Sequence, residues 1–304
     1  GIVGAGPIGC ELAQAFADLG VAVTVFEARS RVLPAEEPET SEVIARSLVA
    51  RSVDVRAGAA VGSVVGVARA ANGIEIVPGA GPPVVVDEVL VAVGRRPLTE
   101  GLGLERAGVE LTPTGHVRTD TRLRTTVRHI AAAGDVTGRL PFTHAADEMG
   151  RLAVGHLFGE GLRWRFDARA VPWVTFTDPE VARVGCTESE AARRGGRVAH
   201  LPLTEVDRAV IEGRTDGFIK IVAGPRRLSR HLFGGRGLGA TIVAPRAGEM
   251  IHELALAMRA GLFTGRLGQT LHSNPTWSRG VQKAVAQFFH ELEGRSARPA
   301  RRRV

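Results

Sequence analysis

Tyrosine is absent from this 304-residue chain, and cysteine is almost absent, with Cys10 and Cys186 far apart in sequence. Two distant cysteines without a Cys-x-x-Cys pair exclude a disulfide framework and offer no spacing typical of a metal site. Such low cysteine use fits a reducing compartment, so we expect a cytoplasmic protein with no bound metal.

Long apolar runs are also missing. The most apolar stretch, 84–93, is interrupted by Asp87 and Glu88. A membrane-spanning helix needs about 20 mainly apolar residues, so we expect no membrane partner. With 44% hydrophobic and 23% charged residues, the composition is that of a globular protein long enough for two modest domains.

Lysine is limited to Lys220 and Lys283, so arginine supplies nearly all the positive charge behind the net charge of +7. The arginines are scattered along the chain and are concentrated only in the tail, 295–302. That tail has no interleaved aromatic residues on which bases could stack. We therefore expect no nucleic-acid partner.

The first segment predicts a βαβ unit. Gly1 to Val3 is the end of an apolar strand, Gly4 to Gly9 form a G-x-G-x-x-G turn, 11–19 have helical spacing, and a second strand runs from 21 to Glu27. In such a turn the first glycine permits the tight bend, the second lets the backbone approach a pyrophosphate, and the third lets helix and strand pack closely. A normal strand has about 5–6 residues, so we expect the chain to be cut short at its N-terminal end.

Glu27 lies where a carboxylate would accept hydrogen bonds from an adenosine ribose and repel a 2′-phosphate. The pattern therefore predicts NAD binding. Arg29 and Arg31 keep NADP as the weaker alternative, and the remaining alternative is that the glycines serve packing alone.

Downstream, the spacing of apolar residues predicts an α/β region followed by an α+β region. The α/β region has a helix over 40–52, and its strands, forming a parallel doubly wound sheet, are expected at 53–55, 61–67, 74–77, 84–86 and, as a buried strand, 89–93. A strand over 129–133 and a helix over 144–158 follow. The α+β region has strands at 171–176, 198–203, 218–222 and 239–243, and helices at 247–260 and 278–290.

Five motifs occur in a fixed order along the chain, at Gly4 to Glu11, Ala92 to Pro97, Ala133 to Val136, Phe176 to Gly185, and Gly248 to Glu253. Together they resemble those of the FAD-dependent pyridine nucleotide–disulfide oxidoreductases, which include glutathione reductase, dihydrolipoamide dehydrogenase and mercuric reductase. The resemblance extends over nearly the whole chain, to about residue 289.

The resemblance implies a Rossmann-like NAD-binding domain over 1–118, a returning piece of an FAD-binding domain over 119–159, an α+β dimerisation domain over 167–289 and a basic tail over 290–304. It implies FAD and NAD as cofactors and a homodimer formed through the C-terminal domain. In the family, the first FAD-binding turn and the redox cysteine pair precede the NAD domain, and we expect this chain to lack both. We also expect the chain alone to bind FAD poorly and to turn over little.

The resemblance also implies roles for individual residues. Asp135 would hold the ribityl hydroxyls of the flavin, the helix near His144 would direct its N-terminal dipole at the flavin ring, and Glu11 would lie beside the nicotinamide. An alternative for Glu11 is an acid in the first helical turn that complements the dipole. The full set of expected cofactor-binding residues is Gly4, Gly6, Pro7, Ile8, Gly9, Glu11, Glu27, Gly94, Asp135, Thr143, His144 and Ala145.

No catalytic residue is expected in this chain. Dithiol-using members carry a C-terminal His-Pro-Thr-x-x-Glu as acid/base and orienting group, but here Asn274 and Arg279 occupy those positions. Asparagine cannot shuttle a proton near neutral pH. His272 is expected to be an unpaired structural histidine, with a substitute base as the alternative, and Cys10 and Cys186 to be small packed residues.

These features predict a flavoprotein NAD(P)H oxidoreductase that passes hydride from NADH to FAD and then electrons to an unidentified acceptor, in a mercuric-reductase-like rather than glutathione-reductase-like manner. One alternative is a non-catalytic NAD-binding dimer. Another is a flavin-free dehydrogenase that uses His144 or His272, which would need a paired base.

Overall fold

The computed structural model describes residues 1–66, 73–159, 165–226 and 230–302, with the backbone alone at 63–66. The chain divides into two compact units. One contains residues 1–93 and 172–304, and the other contains residues 94–171.

The strands are β1 Ile2–Val3, β2 Thr24–Glu27, β3 Asp54–Ala57, β4 Val61–Gly66, β5 Ile74–Pro78, β6 Val84–Val86, β7 Leu90–Val91, β8 Pro172–Thr175, β9 Glu180–Gly185, β10 Arg197–Pro202, β11 Phe218–Gly224, β12 Arg236–Ala244 and β13 Arg298–Pro299. The α-helices are α1 Pro7–Asp18, α2 Pro38–Ala50, α3 Thr143–Leu157, α4 Glu188–Ala192, α5 Asp207–Ile211, α6 Ala247–Arg259, α7 Thr264–Gln269 and α8 Arg279–Ala286. Among the described residues, no helix combines the length and the apolar character needed to cross a membrane.

The expected α/β region is confirmed, with a parallel sheet in the order β3-β2-β1-β7 and with α1 and α2 connecting its strands. The strands from 61 to 86 do not join it and instead form a separate antiparallel sheet, β4-β5-β6. No helix separates these strands, and short connections favour antiparallel pairing. The expected strand over 61–67 ends at Gly66, and residue 67 lies outside the described ranges.

The prediction of a buried strand over 89–93 is wrong. β7 spans only two residues at the edge of the parallel sheet, and the side chains of Val91 and Val93 are 65% and 69% exposed. An apolar run predicts burial on both faces only when the strand is internal to its sheet.

The unit over 94–171 is built around α3, whose Met149 and Ala145 pack with Leu123 and Phe166. The predicted strand over 129–133 is wrong, because this segment makes only an isolated bridge between Ala131 and Arg124. A strand needs a neighbour along its length to pair its backbone groups.

The C-terminal part of the first unit forms the expected α+β region, with a six-stranded antiparallel sheet in the order β13-β10-β11-β12-β9-β8. The sequence reasoning missed β9, which lies within the Phe176 to Gly185 motif. It also missed β13, through which part of the basic tail pairs with β10. The helices α6 and α8 pack on this sheet around Ile251, Leu254 and Val281.

One apolar core joins the parallel sheet to the six-stranded sheet. Ile2 and Val25 of the parallel sheet pack in the same cluster as Val181, Phe218 and Val243. The glycine-rich turn after β1 and the C-terminal sheet therefore belong to one continuous structure in this unit.

A buried ion cluster lies at the same junction. The Nζ atom of Lys220 on β11 lies 3.0 Å from Glu39 Oε1, 3.2 Å from Glu188 Oε2 and 3.5 Å from Glu37 Oε2, and the lysine side chain is fully buried. Arg298 of β13 adds a second positive charge by pairing with both oxygens of Glu188. Buried charges persist only when they are paired and hydrogen-bonded, so each partner here depends on the others.

Substitution Lys220→Met is expected to destabilise the chain by about 3–5 kcal/mol, because it leaves buried carboxylates without their counter-ion. Urea unfolding followed by circular dichroism measures this loss. The other lysine, Lys283, pairs with the half-exposed Glu293, so Lys283→Met is the matched control and should cost clearly less. Equal losses in the two variants would contradict the conclusion that the buried ion cluster depends on Lys220.

The cluster also makes stability depend on pH at the acid end. Burial by itself would raise the pKa of Glu188, but hydrogen bonds and charge from Arg298 and Lys220 lower it from 4.5 to about 2. A depressed pKa contributes stability that is present above pH 4.5 and is lost as pH falls toward 2. The contribution is at most roughly 3 kcal/mol, and it should disappear from the pH dependence of unfolding in Glu188→Gln. An unchanged acid limb in that variant would refute it.

Candidate functional site

The glycine-rich turn between β1 and α1 is closely packed at Gly4 and Gly9. Gly4 has φ +100°, its N–H donates to Phe26 O at 2.7 Å, and a Cβ there would meet Ala92 O at 2.6 Å. The helix begins at Pro7, so Gly9 lies in its first turn and not in the loop. A Cβ at Gly9 would lie 1.9 Å from Gly4 O, which is why helix and turn pack closely only with glycine.

Gly6 differs from its two neighbours in the motif. Its φ is −73°, which any residue adopts, and a Cβ at Gly6 would meet nothing within 4 Å. Pro7 and Ile8, which follow it, are exposed. The first N–H groups of a helix lack intrahelical partners and carry partial positive charge. This open helix N-terminus therefore fits an anionic group such as a pyrophosphate.

Glu27, at the end of β2, lies against this turn. Its Oε2 accepts from the Ala5 N–H at 2.8 Å, its Oε1 accepts from the Arg29 N–H at 2.8 Å, and the residue is 8% exposed. A carboxylate oxygen has a further lone pair after accepting one bond, so Glu27 retains acceptor capacity toward a hydroxyl. Its position fixes a negative charge directly beside the turn.

Glu11 has a contact that the sequence did not indicate. It lies beyond the first turn of α1, which contains no acidic residue, so its interpretation as a first-turn acid is wrong. Its Oε1 accepts from the backbone N–H of Phe176 at 2.7 Å. Glu11 thus connects α1 to the loop between β8 and β9.

The two cysteines are not placed for thiolate chemistry. Cys10 is fully buried, its Sγ lies 3.3 Å from Ala5 O, and burial raises its pKa to about 12. Cys186 is partly buried, and burial raises its pKa to about 11. The thiolate is the reactive form of cysteine, so both thiols remain protonated and unreactive near neutral pH.

The remaining expected cofactor residues lie in the unit over 94–171. Gly94 has φ +130°, and Asp135 begins a short 3-10 helix, where its Oδ2 lies 3.1 Å from Arg95 Nη1. Asp135 is about half exposed. At the start of α3, Thr143 and His144 are exposed, whereas the Ala145 side chain is buried in the core of this unit, leaving its backbone N–H as the group at the helix end.

The expectation that His272 is unpaired is wrong. Its Nε2 lies 2.9 Å from Glu253 Oε2, and its Nδ1 lies 2.9 Å from Thr270 O. Since a carbonyl only accepts, Nδ1 carries a proton, and the Nε2–Glu253 contact then requires one shared proton. Burial is the main cause of the raised pKa of Glu253, and the hydrogen bond and charge of His272 oppose that shift. With both nitrogens bonded and the ring 7% exposed, His272 holds its segment against α6.

The side chains at the family's acid/base positions do not replace that function. Asn274 is exposed, and Arg279 bonds to Gln282 one turn along α8. Sequence reasoning missed Glu253 as the partner of His272, although it lies in the Gly248 to Glu253 motif. It also missed Ala5, whose N–H and C=O are both bonded within the site, because an alanine in a turn carries no chemical signal.

Comparison with known proteins identifies both parts of the chain. Residues 1–150 match the pyridine nucleotide-disulphide oxidoreductase family, and residues 171–285 match the dimerisation domain of that family. Among solved structures, LpdA from Mycobacterium tuberculosis superposes with a TM-score of 0.85 at 34% identity, covering 95% of this chain and 61% of that chain. The flavoprotein disulfide reductase RclA from Escherichia coli superposes with a TM-score of 0.82 at 32% identity, covering 94% and 63%.

Curated relatives give the same result. Dihydrolipoyl dehydrogenase from Thermus scotoductus is 35% identical over 297 residues, covering 95% of this chain and 61% of the relative. Mercuric reductase from Bacillus cereus is 35% identical over 299 residues, covering 96% and 45%. The chain thus spans about 60% of the length of its dihydrolipoyl dehydrogenase relatives. With its two matched regions, its fold and its ordered motifs, the chain belongs to the pyridine nucleotide-disulphide oxidoreductase family.

Proposed function

We propose that this chain provides the NADH-binding and dimerisation parts of a flavoprotein NAD(P)H oxidoreductase. The observation that carries the proposal is the turn at Gly4 to Gly6, which is open at Gly6 and has the Glu27 carboxylate fixed beside it. In this proposal the helix N-terminus holds the pyrophosphate of NADH. Glu27 accepts a ribose hydroxyl and disfavours a 2′-phosphate, so NADH is preferred over NADPH.

Gly94, Asp135 and the N-terminus of α3 are proposed as the contribution of this chain to a flavin site. When bound, FAD would accept hydride from NADH and pass electrons to a second substrate. Asp135 would accept hydrogen bonds from flavin hydroxyls, exchanging its contact with Arg95. The N-terminus of α3, with Thr143, His144 and the Ala145 N–H, would stabilise negative charge near the ring. This partial, solvent-exposed set supports only weak FAD binding by the chain alone.

The electron acceptor is proposed to be one that needs no acid/base residue at the position of Asn274. Thiol–disulfide chemistry requires a proton-transfer group beside the thiolate. Asn274 and Arg279 supply no such group. Burial raises the pKa of both Cys10 and Cys186, so neither thiol is a thiolate near neutral pH. Chemistry of the mercuric reductase kind is therefore favoured over reduction of a glutathione-type disulfide.

The domain boundaries proposed for these activities are 1–118 for NADH, 119–159 for FAD and 167–289 for the homodimer interface, with 290–304 as a tail. A cytoplasmic location is proposed with them. The dimerisation-domain match over 171–285 supports the interface assignment.

The test is direct titration of the purified chain with NADH, NADPH and FAD, followed by nicotinamide and flavin fluorescence. We expect NADH to bind at least about tenfold more tightly than NADPH, since one unfavourable buried charge contact costs about 1.4 kcal/mol or more. FAD should remain weakly bound, and oxidation of NADH by the chain alone should be slow. Glu27→Gln should reduce the preference for NADH.

The outcomes separate the alternatives. NADH binding without flavin retention supports the nucleotide assignment. Binding to neither nucleotide overturns it, and flavin-free oxidation of a small alcohol or acid would instead indicate an independent dehydrogenase.

The glycines of the turn give a second test, because Gly6 and Gly9 differ in the structure. Gly9→Ala forces a methyl group against Gly4 O, so it should lower the free energy of unfolding by about 1–3 kcal/mol. Gly6→Ala meets no protein atom, so it should leave unfolding nearly unchanged while weakening NADH binding at least about tenfold. Thermal denaturation and NADH titration of both variants measure the two effects. Normal NADH affinity in Gly6→Ala would show that no ligand approaches that glycine.

A further inference from the structure

We propose that Trp173 and Arg183, on strands β8 and β9 of the dimerisation domain, are positioning residues for nucleotide binding. They would act through the segment 28–37, which runs from Glu27 to the start of α2. The inference rests on the proposed NADH site and adds to it a second set of residues, distant in sequence, on which the shape of that site depends.

Both backbone groups of Ala5 are hydrogen-bonded, one to Glu27, which precedes segment 28–37, and the other to Leu33 within it. The Ala5 N–H donates to Glu27 Oε2 at 2.8 Å, and the Ala5 carbonyl accepts from the Leu33 N–H at 2.8 Å. Ala5 lies between Gly4 and Gly6, in the middle of the turn. Its two backbone groups fix how the turn presents the helix N-terminus, so movement of Leu33 would move the turn.

Leu33 is held in a conformation that it would not adopt freely. Its φ is +44°, a left-handed value that is uncommon for a non-glycine residue, and its side chain is 1% exposed in the core. Such a backbone persists only where several surrounding contacts determine it. Its N–H bond to Ala5 is joined by the bond from the Glu36 N–H to the Leu33 carbonyl, at 2.9 Å.

At its far end, the segment is fixed by the dimerisation domain. Trp173 Nε1 donates to Glu36 Oε1 at 3.0 Å, Arg183 Nη1 donates to the Ala35 carbonyl at 2.9 Å, and Arg183 Nε lies 3.3 Å from Glu36 Oε2. The guanidinium also lies 4.4 Å from the centre of the Trp173 ring. Glu36 is 6% exposed, so its buried carboxylate depends on the Trp173 hydrogen bond to Oε1 and on the positive charge of Arg183 beside Oε2.

Glu37, the residue after Glu36, makes a second connection to the dimerisation domain. Glu37 Oε1 accepts from the Glu188 N–H at 2.7 Å, and its Oε2 faces Lys220. The segment is therefore bonded to the turn at one end and to the dimerisation domain at the other. Because binding free energies are reciprocal, a domain that holds the turn in its binding geometry should also be stabilised when nucleotide binds.

The test measures affinity in the full chain with ADP-ribose and NADH as probes. Trp173→Phe removes the N–H donor and keeps an aromatic ring beneath Arg183, and it should raise the Kd for both probes about 3- to 10-fold. Arg183→Ala should raise it about 5- to 20-fold. ADP-ribose lacks only the nicotinamide ring of NADH, so equal losses for both probes would show that the effect does not involve the nicotinamide and would place it on the side of the turn.

A control variant and a double-mutant cycle distinguish positioning from general destabilisation. Arg208→Ala removes the exposed pair that Arg208 of α5 forms with Glu212, in the same domain, and should leave the Kd unchanged. In the cycle, Trp173→Phe and Glu36→Gln should be less than additive in their effect on Kd, because both act on the same hydrogen bond. Circular dichroism at the titration temperature confirms that each variant is folded.

The possible results separate the two proposals. Raised Kd values in folded variants, with Arg208→Ala unchanged, support the positioning function. Lower thermal stability with unchanged Kd would show a purely structural contact and overturn it. If the unmodified chain binds neither ADP-ribose nor NADH, the NADH-site proposal and this inference both fail.

Discussion

The structure of the larger unit depends on a single buried amine. Lys220 is a fully buried cation on β11 of the antiparallel sheet, and its carboxylate partners include Glu37 and Glu39 at the start of α2. Removing charges from water is costly, so a lysine in this position requires its partners to be held in place. The start of α2 is therefore joined to the antiparallel sheet by a directional ion cluster, in addition to the apolar core that the two sheets share.

This junction also holds the glycine-rich turn between β1 and α1. A glycine-rich turn is usually described as a local device of one strand and one helix. In this chain the turn is held through Ala5, Glu27 and Leu33, and the segment that holds it ends among dimerisation-domain side chains. Glu11 makes a third connection by accepting from Phe176. The glycine-rich turn and the sheet of the dimerisation domain are therefore connected by hydrogen bonds within this unit.

Sequence reasoning succeeded where the chemistry is local. The tight bend at Gly4, the helix that follows and the carboxylate ending β2 were all predictable, because the spacing of these residues is fixed by short-range backbone geometry. It failed at 89–93 and 129–133. In both segments apolar residues indicated a strand, but strand formation and burial depend on neighbours that are distant in sequence.

The sequence by itself determined the family and the α/β-then-α+β order, because ordered motifs and hydrophobic periodicity are properties of the linear chain. Only the tertiary structure decided the partners: Glu253 for His272, Phe176 for Glu11, and Glu36 for Trp173 and Arg183. These pairs are separated by 19 to 165 positions. Hydrogen bonds need atoms within about 3 Å, and no pattern in a single sequence specifies which distant side chains reach that distance.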